Sequence, residues 1–216
     1  MSLRLLLALI GVLALLLAGC PTTDDDDVSG DDDSTGDDDT GDDDDASCGG
    51  LAPPGYAGDN GFHVVTDEEA DIVVDNVPYE SYISSISSGL FISLDQPAVV
   101  GEDYIWITLQ ASPHSTVSSG PQDLQPTPDG GPALTYNFVP DYPNGVNDQR
   151  TYAINGAFSA SSGTITCDQA PSAGAAFHCT FDATLVWAEQ DEDTGDLYLA
   201  GCAAMSGAFS VVLGST

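Results

Sequence analysis

The stretch AFHCTFDATLVWAE, residues 176–189, decides the fold because apolar and polar side chains alternate along most of its length. Successive side chains of a β-strand point to opposite faces, so this alternation predicts a strand with one buried face. The predicted buried face carries Phe177, Cys179, Phe181, Ala183, Leu185 and Trp187. The opposite face, predicted to meet solvent, carries His178, Thr180, Asp182 and Thr184.

A second stretch, GTITCD at residues 163–168, fits beside this strand as an antiparallel neighbour. If Cys167 lies opposite Cys179, then Ile165 falls opposite Phe181 on the same buried face. A shift of one residue would send every one of these apolar side chains to the solvent face. The match therefore supports this register.

Other segments alternate in the same way, and clusters of Gly, Pro, Asn and Asp separate them. The predicted strands are 89–96, 103–111, 134–140, 163–168, 176–189 and 197–213, with weaker candidates at 62–65, 71–74 and 150–158. No helical stretch of 10–15 residues lies between them, which argues against a parallel α/β fold. The sequence predicts a single all-β domain over residues 48–216, an antiparallel β-sandwich or open barrel.

The layout of these strands also resembles small bacterial lipoprotein domains of uncharacterised activity. The likeness rests on LFISLDQ, GTITC, FHCTFDATLVW and the closing GAFSVVL, in that order along the chain. It implies a β-sandwich. It implies no activity, and no functional residue is transferred from it.

The N-terminus, residues 1–19, has the composition of an export signal. One basic residue, Arg4, precedes an uncharged apolar run from 5 to 18, and small residues end it. A run of this length is shorter than the roughly 20 residues that a membrane-spanning helix needs. A positive start, an apolar middle and a small-residue end predict a cleaved signal peptide instead.

The last residues of this signal, Leu17-Ala18-Gly19-Cys20, resemble the lipobox of bacterial lipoproteins. The resemblance implies cleavage before Cys20 and acylation of both its thiol and its new amine. Several acyl chains on one residue give durable membrane anchoring. The expected location is the cell envelope, with a lipid anchor at the outer membrane or the cell surface.

Residues 20–47 form the predicted linker, which contains fourteen aspartates, one valine and no aromatic residue. Such a segment cannot bury enough apolar surface to offset the entropy of ordering, so we expect it to be disordered and extended by charge repulsion. Acidic residues after a lipidated cysteine are also similar to the surface-export signals of some bacterial lipoprotein families.

The remaining domain, residues 48–216, contains 21 acidic residues and a single basic one, Arg150. Nucleic acid is excluded as a partner because its binding rests on Lys and Arg contacts to phosphate. A polybasic membrane contact is excluded for the same reason. The membrane is therefore expected as a partner through the lipid anchor alone. Arg150 is predicted to form an ion pair with Asp148 or Asp141.

Four cysteines follow Cys20, an even number that predicts disulfides in an exported protein. Three connectivities exist. We favour Cys167–Cys179 from the register above and, by elimination, Cys48–Cys202. Zinc binding is the alternative, but no C-x-x-C pair occurs.

A weak calcium site is the one cofactor the sequence suggests. Asp191, Asp193 and Asp196 lie in the segment DEDTGD at a predicted hairpin tip, where backbone carbonyls could assist. A solvated turn is the alternative, and no metal site is assigned with more support than this.

Motifs for catalysis are missing: the chain has no G-x-S-x-G, no H-E-x-x-H, no phosphate loop and no dinucleotide fingerprint. No catalytic residue is predicted, although His63, His114 and His178 each lie near Ser and Asp. Six aromatic residues could line a carbohydrate- or protein-binding face or pack in the core: Tyr79, Tyr82, Tyr104, Trp106, Tyr136 and Tyr142.

Two functions stay open at this stage. The first is a surface- or envelope-anchored lipoprotein that presents a β-domain on an acidic linker for a non-enzymatic binding or structural role, with a protein or carbohydrate ligand. The alternative is an anchored extracytoplasmic hydrolase whose site no motif reveals. A pocket that gathers a histidine and two carboxylates would favour the hydrolase. A smooth sheet with an aromatic face would favour the binding protein.

Overall fold

The long hairpin of strands β10 (Ala176–Gln190) and β11 (Leu197–Val212) is the centre of the fold. Its ladder runs from Ala176 opposite Val212 to Gln190 opposite Leu197, with one irregularity after Trp187. The structure is a computed structural model that describes residues 48–68, 70–84 and 88–215. The predicted signal peptide, Cys20 and the acidic linker lie outside the described residues.

Twelve strands in the described part of the chain form one strongly curled antiparallel sheet, a half-barrel. Besides β10 and β11 they are β1 (Gly61–Thr66), β2 (Asp71–Asp75), β3 (Tyr79–Ile83), β4 (Leu90–Asp95), β5 (Glu102–Ala111), β6 (Gly120–Asp123), β7 (Ala133–Tyr142), β8 (Arg150–Ala153), β9 (Ser162–Cys167) and β12 (Gly214–Ser215). The order is β12-β3-β4-β5-β7-β8-β10-β11-β1-β2, and β9 joins β6 to β10. The pair β12–β3 is parallel. The predicted antiparallel all-β fold is confirmed.

Every strongly predicted strand is present, and the differences lie among the weak and the missed ones. The candidate at 150–158 ends at Ala153, because Asn155 and Ser161 close a turn: Ser161 Oγ donates to Asn155 O at 2.9 Å and the Asn155 N–H donates to Ser161 Oγ at 2.9 Å. Strands β3 and β6 were not predicted. Their sequences, YESYI and GPQD, lack an alternating apolar face.

The buried face of β10 is confirmed from Phe177 to Leu185, where exposed and buried side chains alternate. So is the register of β9, which places Cys167 opposite Cys179 and Ile165 opposite Phe181. Gly163 lies opposite Ala183, and a Cβ on it would lie 2.8 Å from the Ala183 Cβ. The absence of a side chain there lets the two strands pack closely.

Two disulfides, Cys167–Cys179 and Cys48–Cys202, join the cysteines as predicted. The first staples β9 to β10 across a sequence separation of 12, and the second joins the start of the domain to β11 across 154 residues. Cys48 and Cys202 form a small second core with Val186 on the outer side of the hairpin. This cluster explains why Val186 is buried although it follows the buried Leu185 directly.

The segment 48–60, which we call the strap, contacts the outer face of β1 and β11. The Gly55 N–H donates to Ser206 Oγ at 3.0 Å, and Gly55 O lies 3.1 Å from His63 Nδ1. Tyr56 also donates to Asp75 Oδ1 at 2.6 Å. Ser206 is only 2% exposed, so the outer face of β11 is covered around this residue. No helix among the described residues is long and apolar enough to span a membrane.

Candidate functional site

The outer face of strands β3, β4, β5 and β7 is the candidate site, and we call it the aromatic face. Its inner counterpart is core: side chains such as Ile92 and Ile107 are 1–2% exposed. Because side chains alternate along a strand, Phe91 on β4 and Trp106 on β5 point to the opposite, outer side. The strap hydrogen bonds given above lie on another part of the sheet, at β1, β2 and β11.

Three half-buried rings form what we call the aromatic strip: Tyr104, Trp106 and Tyr142. The Tyr104 and Trp106 rings stack with centroids 4.9 Å apart and planes at 27°. The rings of Tyr104 and Tyr142 are 5.3 Å apart and tilted by 56°. Each such pair adds about 0.5–1.5 kcal/mol beyond simple burial, so the three side chains hold one another in place.

The position of Tyr142 in this strip depends on a bulge. Tyr104 lies opposite Val139, but Glu102 lies opposite Tyr142, so β7 has one extra residue between these pairs. An extra residue reverses which side chains face outward. Within the bulge Asp141 has a positive φ of 45°, and its N–H donates to Asp103 Oδ1 at 3.2 Å. Without the bulge Tyr142 would point to the inner side.

Carboxylates surround the strip. Asp95 lies opposite Trp106 across the β4–β5 ladder, and Glu102 lies opposite Tyr142. The pKa of Tyr104 lies above its ordinary value, because burial and then the negative charge of Asp95 disfavour ionisation. The site therefore combines aromatic rings with negative charge.

Beside the strip runs a row of small polar side chains that are nearly inaccessible. Ser93, Thr108 and Asn137 are 6%, 7% and 7% exposed. Ser93 Oγ donates to Asp95 Oδ1 at 2.7 Å, and Thr151 Oγ1 donates to Asn137 Oδ1 at 2.8 Å. The bond from Ser93 holds the carboxylate of Asp95 next to the strip. Beyond this row, Tyr82 and Phe91 stack with centroids 5.1 Å apart.

Among the six aromatic residues singled out in the sequence, Tyr136 belongs to the core instead of the face. It is 1% exposed, and its ring centroid lies 5.3 Å from Tyr152 and 6.4 Å from Phe62. Burial raises the pKa of Tyr136 well above its ordinary value. Tyr79, the first residue of β3, is 42% exposed.

Arg150 binds between two aromatic rings, and we call this arrangement the Arg150 clamp. Its guanidinium carbon lies 4.9 Å from the Trp187 ring centroid and 5.9 Å from that of Phe138. Its Nη1 contacts Glu68 Oε2 at 2.5 Å. Both distances to the rings are within cation–π range.

The predicted ion pair of Arg150 with Asp148 or Asp141 is therefore wrong. Arg150 starts β8 directly opposite Phe138, which places its guanidinium over that ring and beside Glu68, a residue of the turn between β1 and β2. The Asp141 carboxylate instead accepts from Asn144 Nδ2 at 3.2 Å.

A histidine, a serine and two carboxylates do meet on the outer face of the other half of the sheet. His63 pairs with Ser206 across β1–β11, and Ser206 pairs with Asp182 across β10–β11. Ser206 Oγ donates to Asp182 Oδ1 at 2.5 Å, and the two ring nitrogens of His63 contact Gly55 O and Asp71 Oδ1. Neither nitrogen contacts the serine, so these residues do not form a hydrolytic triad.

The remaining histidines and an open groove add no catalytic constellation in the described residues. His114 Nδ1 contacts Ser88 O at 2.7 Å, and the backbone N–H of His178 donates to Asp168 Oδ1 at 3.3 Å. A groove of about 530 Å³ on the outer side of β9 and β10 contains Asp123 and Asp182 but no histidine. The combination expected of the hydrolase alternative is not found there.

The predicted calcium candidates form a turn. Asp191 Oδ1 accepts the N–H groups of Thr194 at 2.7 Å and Asp193 at 2.9 Å, which lowers the pKa of Asp191. Asp191 N–H in turn donates to Asp196 O at 2.8 Å. Across the described residues no group of three or more His, Cys, Asp or Glu side chains could hold a metal ion. The carboxylates are not brought together as ligands, and the weak calcium site stays a prediction.

Comparison of the chain with protein-family models, curated proteins and solved structures gives no match. The site is thus defined by its geometry. Sequence reasoning named Tyr104, Trp106 and Tyr142 but missed Phe91 and Asp95. The alternation of LFISLD could have found both, because it puts them on the face opposite Leu90, Ile92 and Leu94.

Proposed function

We propose that this chain is a lipid-anchored lipoprotein of the bacterial cell envelope, at the outer membrane or cell surface, which presents its β-domain on the acidic linker 20–47. Its role is to bind a ligand at the aromatic face without catalysing a reaction. The proposal joins the lipobox-like residues, whose last member is Cys20, to the geometry of the domain.

The single observation that carries this proposal is the pair of disulfides in the domain that follows the linker. Disulfides form and persist in oxidising compartments, so Cys48–Cys202 and Cys167–Cys179 indicate a location outside the cytoplasm. An exported domain with an apolar N-terminal run and an odd cysteine at its end fits a lipid anchor. The odd cysteine, Cys20, is the one that the two disulfides leave over.

Binding is favoured over catalysis by the contrast between the two outer faces. The aromatic face holds accessible rings beside fixed carboxylates, as small-molecule and protein-binding surfaces do. The polar set around Ser206 is covered by the strap and is satisfied internally. A hydrolase would need an accessible serine whose hydroxyl contacts the histidine.

Metabolic labelling with an alkyne analogue of palmitate tests the anchor. We expect the full chain made in a bacterial host to be labelled, and its N-terminal peptide to begin at an acylated Cys20. The variant Cys20→Ala should lose the label and leave the membrane fraction, whereas the matched variant Ser47→Ala should keep both. An intact Met1 or a free thiol at position 20 would contradict the proposal.

A serine-reactive fluorophosphonate probe tests the choice between binding and hydrolysis. We expect no covalent labelling of the purified chain, because Ser206 is 2% exposed and its hydroxyl donates to a carboxylate. Labelling that disappears in Ser206→Ala would support the hydrolase instead.

A further inference from the structure

The Arg150 clamp shows how this domain binds a cation. A planar guanidinium lies over the rings of Trp187 and Phe138, and one carboxylate, Glu68, contacts its Nη1. Guanidinium groups stack on aromatic faces and pair with carboxylates at the same time. Arg150 is the only Lys or Arg in the described residues.

The aromatic strip also combines aromatic rings with carboxylates, but it contains no cation. Trp106 has Asp95 opposite it, and Tyr142 has Glu102 opposite it. The chain contains only Arg4 and Arg150 as basic residues, so within the described residues no guanidinium or ammonium is left to occupy the strip. Its rings are half-buried, which leaves part of each accessible to a ligand.

We propose that the aromatic strip binds an arginine-bearing segment of another protein, with one guanidinium at the Trp106–Asp95 end and a second at the Tyr142–Glu102 end. This deepens the proposed function, since it names the ligand class of the same face. The charge of the whole domain acts in the same direction, because 21 acidic residues against one basic residue attract cationic partners over a distance.

The length of the aromatic strip limits the distance between the two arginines. Adjacent centroids are 4.9 Å and 5.3 Å apart, so the end rings are separated by no more than the sum of these distances. In an extended peptide, side chains at positions i and i+2 share a face and lie about 7 Å apart. We therefore expect the motif Arg-x-Arg in an extended segment.

The test measures binding of a dye-labelled Arg-Ser-Arg peptide, capped at both ends, to the full chain in detergent at physiological salt. Fluorescence anisotropy gives the dissociation constant for each variant. We expect Trp106→Ala to weaken binding at least tenfold, and Asp95→Asn or Glu102→Gln to weaken it about fivefold each. The matched control Asp193→Asn removes the same charge from the remote β10–β11 turn and should change binding less than twofold.

The acidic linker also attracts a cationic peptide, and the controls separate this background from the site. Fluorescence of Trp106 in the Trp187→Phe variant reports only events at the strip, and we expect the peptide to quench it with the same midpoint as the anisotropy change. Melting temperatures of all variants within a few degrees of the parent would show that they fold.

Three results would overturn the proposal. One is equal weakening by Asp95→Asn and Asp193→Asn, which would mean unspecific attraction. Another is unchanged binding in Trp106→Ala. The third is Trp106-dependent binding of a glucosamine trimer without binding of the peptide, which would make the ligand a cationic glycan. Because binding is measured whether or not Cys20 is acylated, failure here is distinct from failure of the anchor experiment.

Discussion

The outer faces of the two halves of the curled sheet differ. One half is covered by the strap around Ser206, and the other carries stacked aromatic rings. In the half that contains β1, β9, β10 and β11, which we call the disulfide half, the strap and the two disulfides cover or staple the strands. In the half made of β3, β4, β5 and β7, which we call the aromatic half, no disulfide is present and the outer face carries stacked rings. Both halves contribute inner side chains to one core.

The two halves therefore have different roles in the domain. The disulfide half is packed on both faces of β11, where Ala203, Ala204 and Met205 are all 0% exposed, and it holds the domain together. The outer face of the aromatic half carries half-buried rings beside a row of nearly inaccessible small polar side chains, so the rings can change without opening the core. Four experiments test this division, in order of expected effect.

The largest effect is expected from the disulfides. In the chain-entropy description, closing a loop of 154 residues stabilises by about 5 kcal/mol, and closing one of 12 by about 3 kcal/mol. Chemical denaturation of Cys48→Ser/Cys202→Ser and Cys167→Ser/Cys179→Ser should show losses in that order. Equal losses of unfolding free energy in the two double variants would mean that the long loop contributes no more than the short one. The hydrogen bonds of the strap would then keep it attached without the Cys48–Cys202 bond.

Gly207 in β11 is expected to come next. A Cβ there would lie 2.2 Å from Phe181 Cζ and 2.7 Å from Gly61 O, and the second contact is with backbone that cannot move aside. We expect Gly207→Ala to reduce the free energy of unfolding by about 3 kcal/mol, the upper end of overpacking. Gly156→Ala, which meets nothing within 4 Å, is the matched control and should be close to neutral.

The inner side of the aromatic half is tested by alkaline pH. Burial raises the pKa of the Tyr136 hydroxyl, so the folded state resists ionisation while the unfolded chain ionises near the ordinary value of about 10. Stability is therefore complete below pH 10 and falls above it, by about 1.4 kcal/mol at pH 11 from this residue.

Denaturation at both pH values measures this effect, and Tyr136→Phe is the comparison. Phenylalanine cannot ionise, so the variant should lose less stability between pH 9 and pH 11 than the parent. An identical loss would show that other groups cause the alkaline change.

The smallest effect on stability is expected on the outer side of the same half. Trp106→Ala removes one stacked pair, worth about 1 kcal/mol, and leaves the inner face of β5 untouched. A double-mutant cycle of Trp106→Ala with Tyr104→Ala, measured by denaturation, should give a coupling energy of that size. A loss comparable to that of Gly207→Ala would place the aromatic strip among the elements that hold the fold, and would weaken its assignment as a binding face.

The strand pairing of β9 and β10 in the disulfide half could be predicted because residues close together in the sequence determine it. Alternation in β10 fixes the buried face, and a cysteine on each of two adjacent strands fixes the register. The aromatic half could be predicted only in part. Tyr104 and Trp106 share a face by alternation, but Tyr142 joins them through a bulge that the sequence does not reveal.

The contact between Arg150 and Glu68 could not be predicted for a related reason. The two residues are 82 positions apart, and they meet because β8 joins β10 while the β1–β2 turn folds over the same end of the sheet. Nearby aspartates were closer in sequence, but the strand direction points the guanidinium away from them. Strands β3 and β6 were missed because their pairing partners, not their own patterns, define them.

The bond between Cys48 and Cys202 has a mechanical consequence. A pulling force on the chain before Cys48 enters β11 through a covalent link, without first peeling the strap away. β11 is paired on one side with β10 and on the other with β1, so the load is shared by two ladders. Tension at the attachment point is therefore transmitted to β11, which lies in the disulfide half and not in the half that carries the rings of β5 and β7.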